Sequence, residues 1–436
     1  MSRSRPSGPI SHSRLGSSMG VAGATMLVLA LVAGCGGGGF ESTDSSDPDS
    51  GSTGTVRMLV NITPNLTKSY WKGLVAPFEK ANPGIKVQID APTSSDGGVD
   101  TTLPQLLAAG SPPDVVEGSH SVKVLPQLRD LSDLTWAASA PMADAQRRDG
   151  HLYDVAIGQQ AQSLIFYNKT AFTKAGIDKP PATMQELTAD MAKLKKAGYL
   201  PMQTAGEWVT QAQVMMLFDA TLTADDADWF RKAADGKQSL SRDLGPSLAL
   251  YKSWLDKGYL DKNALGVKYP EGESEFLSGT SALYPMGCWF VAAEAQAKKN
   301  FDVGVFAAPQ LNSSNPPRLA VTPGANYRIF KASKHQSAAA KLVEFLTTDH
   351  AAVESQLKQD SSFRTGYPYQ LSPLADEVQK LFDASKDNQA IVGSGEYQMP
   401  AGFEDAENKE IQSLYTGADP ATALKNVDNW LKAQPK

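Results

Sequence analysis

The chain has 436 residues, of which 41% are apolar and 20% are charged. This length and composition suit two compact units with hydrophobic cores of ordinary size rather than one small domain. The formal net charge is −6, and no stretch interleaves lysine and arginine with aromatic residues, which argues against nucleic-acid binding because phosphates attract basic clusters.

The chain begins with the pattern of an export signal. Three arginines and no acid precede the apolar run 19–33, which is too short to span about 30 Å of bilayer hydrocarbon comfortably. The run ends in LVAGC, whose last residue is Cys35, and this ending resembles the lipobox of bacterial lipoproteins. The resemblance implies cleavage of a signal peptide at 1–34, which would change the net charge from −6 to −9, and a diacylglycerol on Cys35. The alternative is an ordinary secretory signal followed by an incidental cysteine.

Residues 35–55 are rich in glycine, serine and aspartate and predict a flexible tether, because they cannot bury enough apolar surface to offset chain entropy. The folded body is predicted from about Val56 to about Lys432. If Cys35 carries lipid, the other cysteine, Cys288, has no disulfide partner and is expected to pack as a small buried hydrophobe.

The folded body opens with a strand–helix–strand pattern. Residues 56–60 and 85–89 alternate apolar and polar side chains at the period of a strand. Between them, four apolar residues from Trp71 to Phe78 fall on one face of a helix. Such a unit predicts two parallel strands with a right-handed crossover.

The clearest helix is predicted over 183–197, where Thr183 and Glu186 form a capping box and Gly198 is placed for a left-handed C-cap. Helices and strands continue to alternate to the end of the chain, so the predicted class is α/β. The further predicted strands are 163–167, 302–306 and 326–330, and the further predicted helices are 337–347 and 421–431.

The sequence lacks the common signatures of catalysis and cofactor binding. The four histidines of the mature chain have no metal-binding spacing, and there is no Walker loop, Rossmann glycine fingerprint or nucleophile elbow. We therefore predict no metal, no cofactor and no enzymatic activity. A pair of glycosidase carboxylates cannot be recognised or excluded by counting acids, so a secreted carbohydrate-active enzyme stays an alternative.

Several segments resemble the family 1 extracellular solute-binding proteins, which are the carbohydrate receptors of ABC importers. The matching pieces are LIFYNK at 164–169, the FTKAGI turn and the PPAT-capped helix that follow it, PDVV at 113–116, and FLSGTSALYPMGCW at 276–289. The resemblance covers nearly the whole folded body. It implies a type II periplasmic-binding-protein-like fold, in which two α/β lobes are joined by a multi-crossover hinge and close around a ligand.

By analogy with this family, the chain crosses between lobes near 160–163, near 323–326 and near Leu371. Lobe 1 is then predicted to comprise 56–160 plus 326–371, and lobe 2 to comprise 161–325 plus 372–436. Ligand is expected in the cleft between the lobes, at the ends of parallel strands.

Sugars present an apolar face and a rim of hydroxyls, so their recognition requires aromatic plates and fixed polar groups. Trp289, in the GxW element that the family uses for stacking, is the first candidate, and Trp208 is the second; for either, the alternative is core packing. The polar candidates are Glu207 beside Trp208, Gln160 and Gln162 at the first crossover, Glu117 and His120 after the PDVV strand, Asn326 after the second crossover, Arg364, and Asn61 at the end of the first strand.

The resemblance implies a monomeric, lipid-anchored protein on the outer face of the cell membrane that captures a mono- or oligosaccharide and delivers it to an ABC permease. Besides the enzyme, two alternatives remain. A receptor for a non-sugar solute such as a polyol phosphate would require an arginine cluster or an open helix N-terminus at the cleft. A surface adhesin would have the cleft filled by side chains.

Overall fold

The computed structural model describes residues 52–63, 65–92, 98–119, 122–311, 318–392, 399–400 and 402–434. The predicted signal peptide, Cys35, most of the predicted tether and His120 lie outside these ranges. The strands of the described residues are β1 (Gly54–Leu59), β2 (Ile85–Asp90), β3 (Val115–Glu117), β4 (Val155–Ala156), β5 (Gln159–Ala161), β6 (Leu164–Asn168), β7 (Leu200–Met202), β8 (Ser281–Pro285), β9 (Val303–Ala307), β10 (Leu319–Pro323), β11 (Asn326–Ile329) and β12 (Gln389–Ile391).

Helices separate most of these strands, as expected of an α/β protein. None of the described helices combines the length and apolarity needed to cross a bilayer. The α-helices are α1 (Lys68–Ala81), α2 (Gly98–Ala108), α3 (Thr135–Ala138), α4 (Ala143–Gln146), α5 (Lys169–Lys174), α6 (Met184–Lys196), α7 (Val209–Leu222), α8 (Trp229–Ala234), α9 (Leu240–Asp243), α10 (Gly245–Asp256), α11 (Tyr269–Leu277), α12 (Phe290–Gln296), α13 (Gln336–Thr348), α14 (His350–Gln359), α15 (Pro373–Ala384), α16 (Phe403–Ser413) and α17 (Pro420–Lys432).

The first lobe is built on a five-stranded sheet in the order β2–β1–β3–β11–β4. The predicted β1–α1–β2 unit is present, with β1 parallel to β2 and with Trp71, Leu74, Val75 and Phe78 of α1 buried. Strand β3 is also parallel to β1, whereas β11 runs antiparallel to β3 and β4. Because β1 and β3 are parallel neighbours, the loops that follow them emerge at the same edge of the sheet.

The second lobe is built on a four-stranded sheet in the order β7–β8–β6–β9. Strand β6 is antiparallel to β8 and β9, while β7 and β8 are parallel. The carboxyl ends of β7 and β8 therefore open at one edge of the sheet, where the chain turns into α7 and α12. Trp208 is the residue immediately before α7, and Trp289 is the residue immediately before α12.

Strands β5 and β10 belong to a third sheet, in the order β12–β10–β5, and together with the stretch 360–363 they form the hinge. Strand β5 is antiparallel to β10, and Gln159 exchanges two backbone hydrogen bonds of 2.7 Å with Phe363. Two glycines permit this close approach: a Cβ atom at Gly158 would lie 2.7 Å from the carbonyl oxygen of Phe363, and one at Gly324 would lie 2.7 Å from Oγ of Ser362. The third stretch therefore includes 360–363, upstream of Leu371, and the lobe boundaries in sequence stay predictions.

The predicted capped helix is α6. Oγ1 of Thr183 accepts a hydrogen bond of 3.1 Å from the N–H of Glu186, and Gly198 has the left-handed φ of +89°. The Glu186 carboxylate accepts its bond from the N–H of Ala182 at 2.7 Å, one residue earlier than a standard capping box places it.

Candidate functional site

An open cavity of about 280 Å³ lies where the two lobes meet the hinge. Its volume is just below the roughly 300–1,000 Å³ that is typical of small-molecule sites. The first lobe contributes the loops after β1 and β3, the second lobe contributes α11 and the loops after β7 and β8, and the hinge contributes the rest. The described lining residues are Asn61, Thr63, Asn65, Leu66, Glu117, Gly118, Gln160, Trp208, Tyr269, Glu273, Trp289, Gly324, Ala325 and Asp360.

Three aromatic rings from the second lobe form one part of the cavity wall. The ring of Trp208 lies 4.9 Å from that of Tyr269 and 6.3 Å from that of Trp289, centroid to centroid. Trp208 is 40% exposed, which makes it the one large hydrophobic residue among the described residues that is exposed to this degree. An exposed indole next to two further rings is a surface on which an apolar face of a ligand can stack.

The indole of Trp289 owes its position to Gly287, two residues earlier. A Cβ atom at Gly287 would lie 2.1 Å from the indole, so only glycine leaves room for the ring against the backbone. The same turn buries Cys288 completely in the second-lobe core, and burial raises the pKa of its thiol. In the GxW element, the glycine thus allows the indole to pack against the backbone of its own turn.

Glu207 holds the loop that carries Trp208 by hydrogen bonds to two helices. Its φ of +56° is left-handed, and its carboxylate accepts a hydrogen bond of 2.9 Å from the N–H of Tyr269 at the start of α11. Its carbonyl oxygen accepts bonds of 2.7 Å from Asn408 and 2.6 Å from Gln412, both on α16. Glu207 is therefore tied to two helices, and it is absent from the lining of the cavity.

Two acids line the cavity, namely buried Glu117 of the first lobe and half-buried Asp360 of the hinge. Glu117 is 2% exposed and accepts a hydrogen bond of 2.9 Å from the N–H of Asn61; burial, aided by the charge of Asp360, raises its pKa to about 8. Burial also raises the pKa of Asp360 to about 6, although bonds from Ser362 at 3.0 Å and Gln160 at 2.7 Å favour the charged form. Both side chains line the cavity.

The remaining polar wall is held by the packing of neighbouring elements. Tyr269 donates a hydrogen bond of 3.0 Å to Glu273, and burial raises the pKa of Glu273. On the first lobe, buried Trp71 donates from Nε1 to the carbonyl oxygen of Asn61 at 2.9 Å and so fixes the loop that ends in Asn65. Asn65 in turn accepts a bond of 3.4 Å from Gln296 of the second lobe, so this loop bridges the cleft.

The structure brings together five of the residues predicted from sequence, namely Trp289, Trp208, Gln160, Glu117 and Asn61. Three predicted polar residues are engaged elsewhere. Gln162 donates to Thr322 at 2.8 Å, buried Asn326 donates to Asp154 at 2.9 Å, and Arg364 lies over the ring of Tyr367 at 5.0 Å. Together with Glu207, these residues do not line the cavity, and His120 is outside the described residues.

Sequence reasoning missed Tyr269, Glu273 and Asp360. A signal existed for the first two, because an aromatic and an acid four residues apart lie on one face of the helix that precedes FLSG. Asp360 lies in the same hinge stretch as the predicted Arg364, and only the course of the backbone decides which of these side chains faces the cavity. No group of three histidine, cysteine or acidic side chains within the described ranges is arranged to hold a metal ion.

Two relatives extend these observations. An uncharacterized ABC transporter extracellular-binding protein of Pyrococcus horikoshii is 26% identical over 434 residues, a match that covers 93% of this chain and 94% of the relative. The sn-glycerol-3-phosphate-binding periplasmic protein of Yersinia pestis is 29% identical over 222 residues, which cover 47% of this chain and 46% of the relative.

A solved structure and a family model agree on fold and class. A sugar transporter of Bacillus licheniformis, solved in complex with stachyose, matches with a TM-score of 0.71 at 19% identity over 87% of this chain and 100% of the other, which shows a shared fold. The model of the family described as bacterial extracellular solute-binding protein matches residues 63–353. Since that match spans more than half of the chain, the protein belongs to this family and is an extracellular solute-binding protein of the ABC-transporter type.

Proposed function

We propose that the protein captures a mono- or oligosaccharide in the cavity between its lobes and delivers it to an ABC permease while a lipid on Cys35 anchors it to the membrane. The observation that carries the sugar assignment is the pairing of three clustered rings with buried hydrogen-bonding groups in one cavity. A pyranose has the matching surfaces, an apolar face and a rim of hydroxyls. The stachyose complex of the Bacillus licheniformis relative is consistent with such a ligand.

We assign the stacking surface to Trp208, Trp289 and Tyr269. The hydroxyl-binding groups in this proposal are the remaining polar side chains of the lining, and they come from both lobes and from the hinge. Closure of the lobes would then bury the ligand between them. These polar groups are Asn61, Thr63, Asn65, Glu117, Gln160, Glu273 and Asp360.

A polyol phosphate is the less favoured ligand, although one relative is a glycerol-phosphate-binding protein. A phosphate is normally held by arginine, lysine or an open helix N-terminus. The described lining residues include no lysine or arginine and include three acids. The charge of the cavity therefore opposes a phosphate.

A carbohydrate-active enzyme is the second candidate, because Glu117 and Asp360 place two carboxyl groups with raised pKa in the same cavity. The family membership favours binding without turnover. Incubation of the purified protein with chromogenic glycosides distinguishes the two functions. We expect no release of the chromophore, and sustained release that is lost in Glu117→Gln would favour the enzyme.

The direct test is a thermal-shift screen of purified residues 56–436 against a library of mono- and oligosaccharides. A ligand that binds the native state increases the free energy of unfolding, by about 2.7 kcal/mol when its concentration is a hundred times Kd, and so raises the melting temperature. We expect a rise with at least one sugar and none with glycerol 3-phosphate. The sugar assignment fails if no carbohydrate at millimolar concentration moves the transition.

Gly287→Ala is expected to weaken binding of the sugar found in that screen by about ten-fold or more, although it substitutes none of the residues that line the cavity. The added methyl carbon would lie 2.1 Å from the indole of Trp289, so the ring must move. Isothermal titration calorimetry measures the effect. Gly73→Ala is the matched control, because a Cβ atom there meets nothing within 4 Å. Unchanged affinity in Gly287→Ala would show that the position of this indole does not matter for binding.

A further inference from the structure

The cavity is lined by acids, and this charge favours a particular class of sugar. Glu117, Glu273 and Asp360 all line it, and the described lining residues contain no lysine, arginine or histidine. Glu117 and Glu273 are 2% and 6% exposed, so neither acid is solvated in the usual way. The described part of the cavity wall supplies no cation, so burial raises the pKa of Glu117 to about 8 and this acid is mostly protonated at pH 7. A cation bound beside it would favour its charged form.

One carboxyl oxygen of Glu117 is available to accept a hydrogen bond from a ligand. Its Oε2 accepts the N–H of Asn61 at 2.9 Å, and no described residue donates to its Oε1. Glu117 is the last residue of β3, at the edge of the sheet where the cleft opens, and its nearly buried side chain lines the cavity. A ligand group that donates hydrogen bonds would satisfy it.

The charge of Asp360 raises the pKa of five described groups, and none of these groups is a cation. These groups come from α1, β3, α11, the GxW turn and β11. Burial is the main cause of the raised pKa of each group, and the charge of Asp360 adds to it. They are Tyr70, Glu117, Tyr269, Cys288 and Tyr327. Its hydrogen-bond donors, Gln160 and Ser362, are uncharged. No cation among the described groups therefore compensates this carboxylate.

The aromatic cluster adds a second attraction for positive charge. The faces of Trp208, Trp289 and Tyr269 carry the negative part of the ring quadrupole, which attracts cations within about 6 Å of a ring centroid. We propose that the ligand is an amino sugar, whose protonated amino group binds Glu117 and Asp360 while its ring stacks on the tryptophans. This proposal rests on the sugar-binding function and specifies the class of sugar.

The test compares sugars that differ only at carbon 2. In the gluco, galacto and manno series, the three ligands carry a hydroxyl, an N-acetyl or a free ammonium group there, and calorimetry at pH 7 gives each Kd. In at least one series, we expect the ammonium sugar to bind about ten-fold more tightly than the hydroxyl and N-acetyl sugars, because its ammonium group forms a charge-assisted hydrogen bond. The affinity should fall as pH falls from 7 to 5, because Asp360, with its pKa of about 6, then loses its charge while the amine stays protonated.

Two variants of the same shape complete the test. Glu117→Gln and Asp360→Asn should each abolish the preference for the ammonium sugar, and the melting temperature of each reports that it folds. Asp376→Asn is the matched control, because it removes one charge from an exposed ion pair with Lys380. Equal or weaker binding of the ammonium sugar in every series would overturn the amino-sugar inference and leave sugar binding intact. If no sugar bound at all, the proposed function itself would fail.

Discussion

Replacing Trp289 by alanine is expected to lower the affinity for the sugar ligand by about thirty-fold or more, and replacing Trp208 by alanine should have a similar effect. Well-packed aromatic residues at the centre of a binding site typically contribute at least about 2 kcal/mol to binding. Both indoles line the cavity, and their centroids lie 6.3 Å apart, so one ligand can touch both. Calorimetric Kd values of the two single variants and the double variant measure the effect.

Substitution of Trp208 separates an effect on binding from an effect on stability better than substitution of Trp289. It is 40% exposed, so its removal should scarcely change the melting temperature, whereas half-buried Trp289 also packs on the second-lobe core. Trp136→Ala, at a half-buried tryptophan on α3 of the first lobe, is the matched control and should leave the Kd unchanged. Wild-type affinity in both single variants would remove the indoles from the site and with them the stacking model.

Asp154→Ala is expected to reduce the free energy of unfolding by about 3–5 kcal/mol. Asp154 forms an ion pair with Arg328, and the two side chains are 3% and 2% exposed. The same carboxylate also accepts a hydrogen bond of 2.9 Å from buried Asn326. The substitution would leave a buried guanidinium without this carboxylate, in the sheet that carries Glu117 into the cleft.

Urea unfolding followed by circular dichroism measures this loss. Asp376→Ala is the control, because it breaks an exposed pair with Lys380 and should cost no more than about 1 kcal/mol. A cost below about 1 kcal/mol for Asp154→Ala would contradict the prediction and indicate that the sheet tolerates Arg328 without the Asp154 carboxylate.

Local patterns in the sequence predicted most of the regular structure. The period of the apolar residues predicted β1, α1 and β2 together with their parallel pairing, and the cap residues of α6 predicted both of its ends. These features depend on neighbours a few residues apart, and the underlying forces act over the same range. The family resemblance added the two-lobed fold, and the GxW element pointed to Trp289.

The site itself depends on contacts between distant parts of the chain. Gln160 and Asp360 are 200 residues apart and meet at 2.7 Å only because the hinge lays β5 beside the 360–363 stretch. Nothing local distinguishes Asp360, which faces the cavity, from Arg364, which lies over the ring of Tyr367. Glu207 shows the reverse case, since it adjoins Trp208 in sequence and is nonetheless held away from the cavity by α11 and α16.

The amino-acid sequence by itself thus determined the α/β class, the main helices and strands, and the aromatic residues available for stacking, because composition, period and caps are local properties. Only the tertiary structure decided which polar side chains share one cavity and which are consumed by internal hydrogen bonds. It also decided the charge of that cavity, because the burial that raises the pKa of Glu117 to about 8 exists only once both lobes and the hinge surround it.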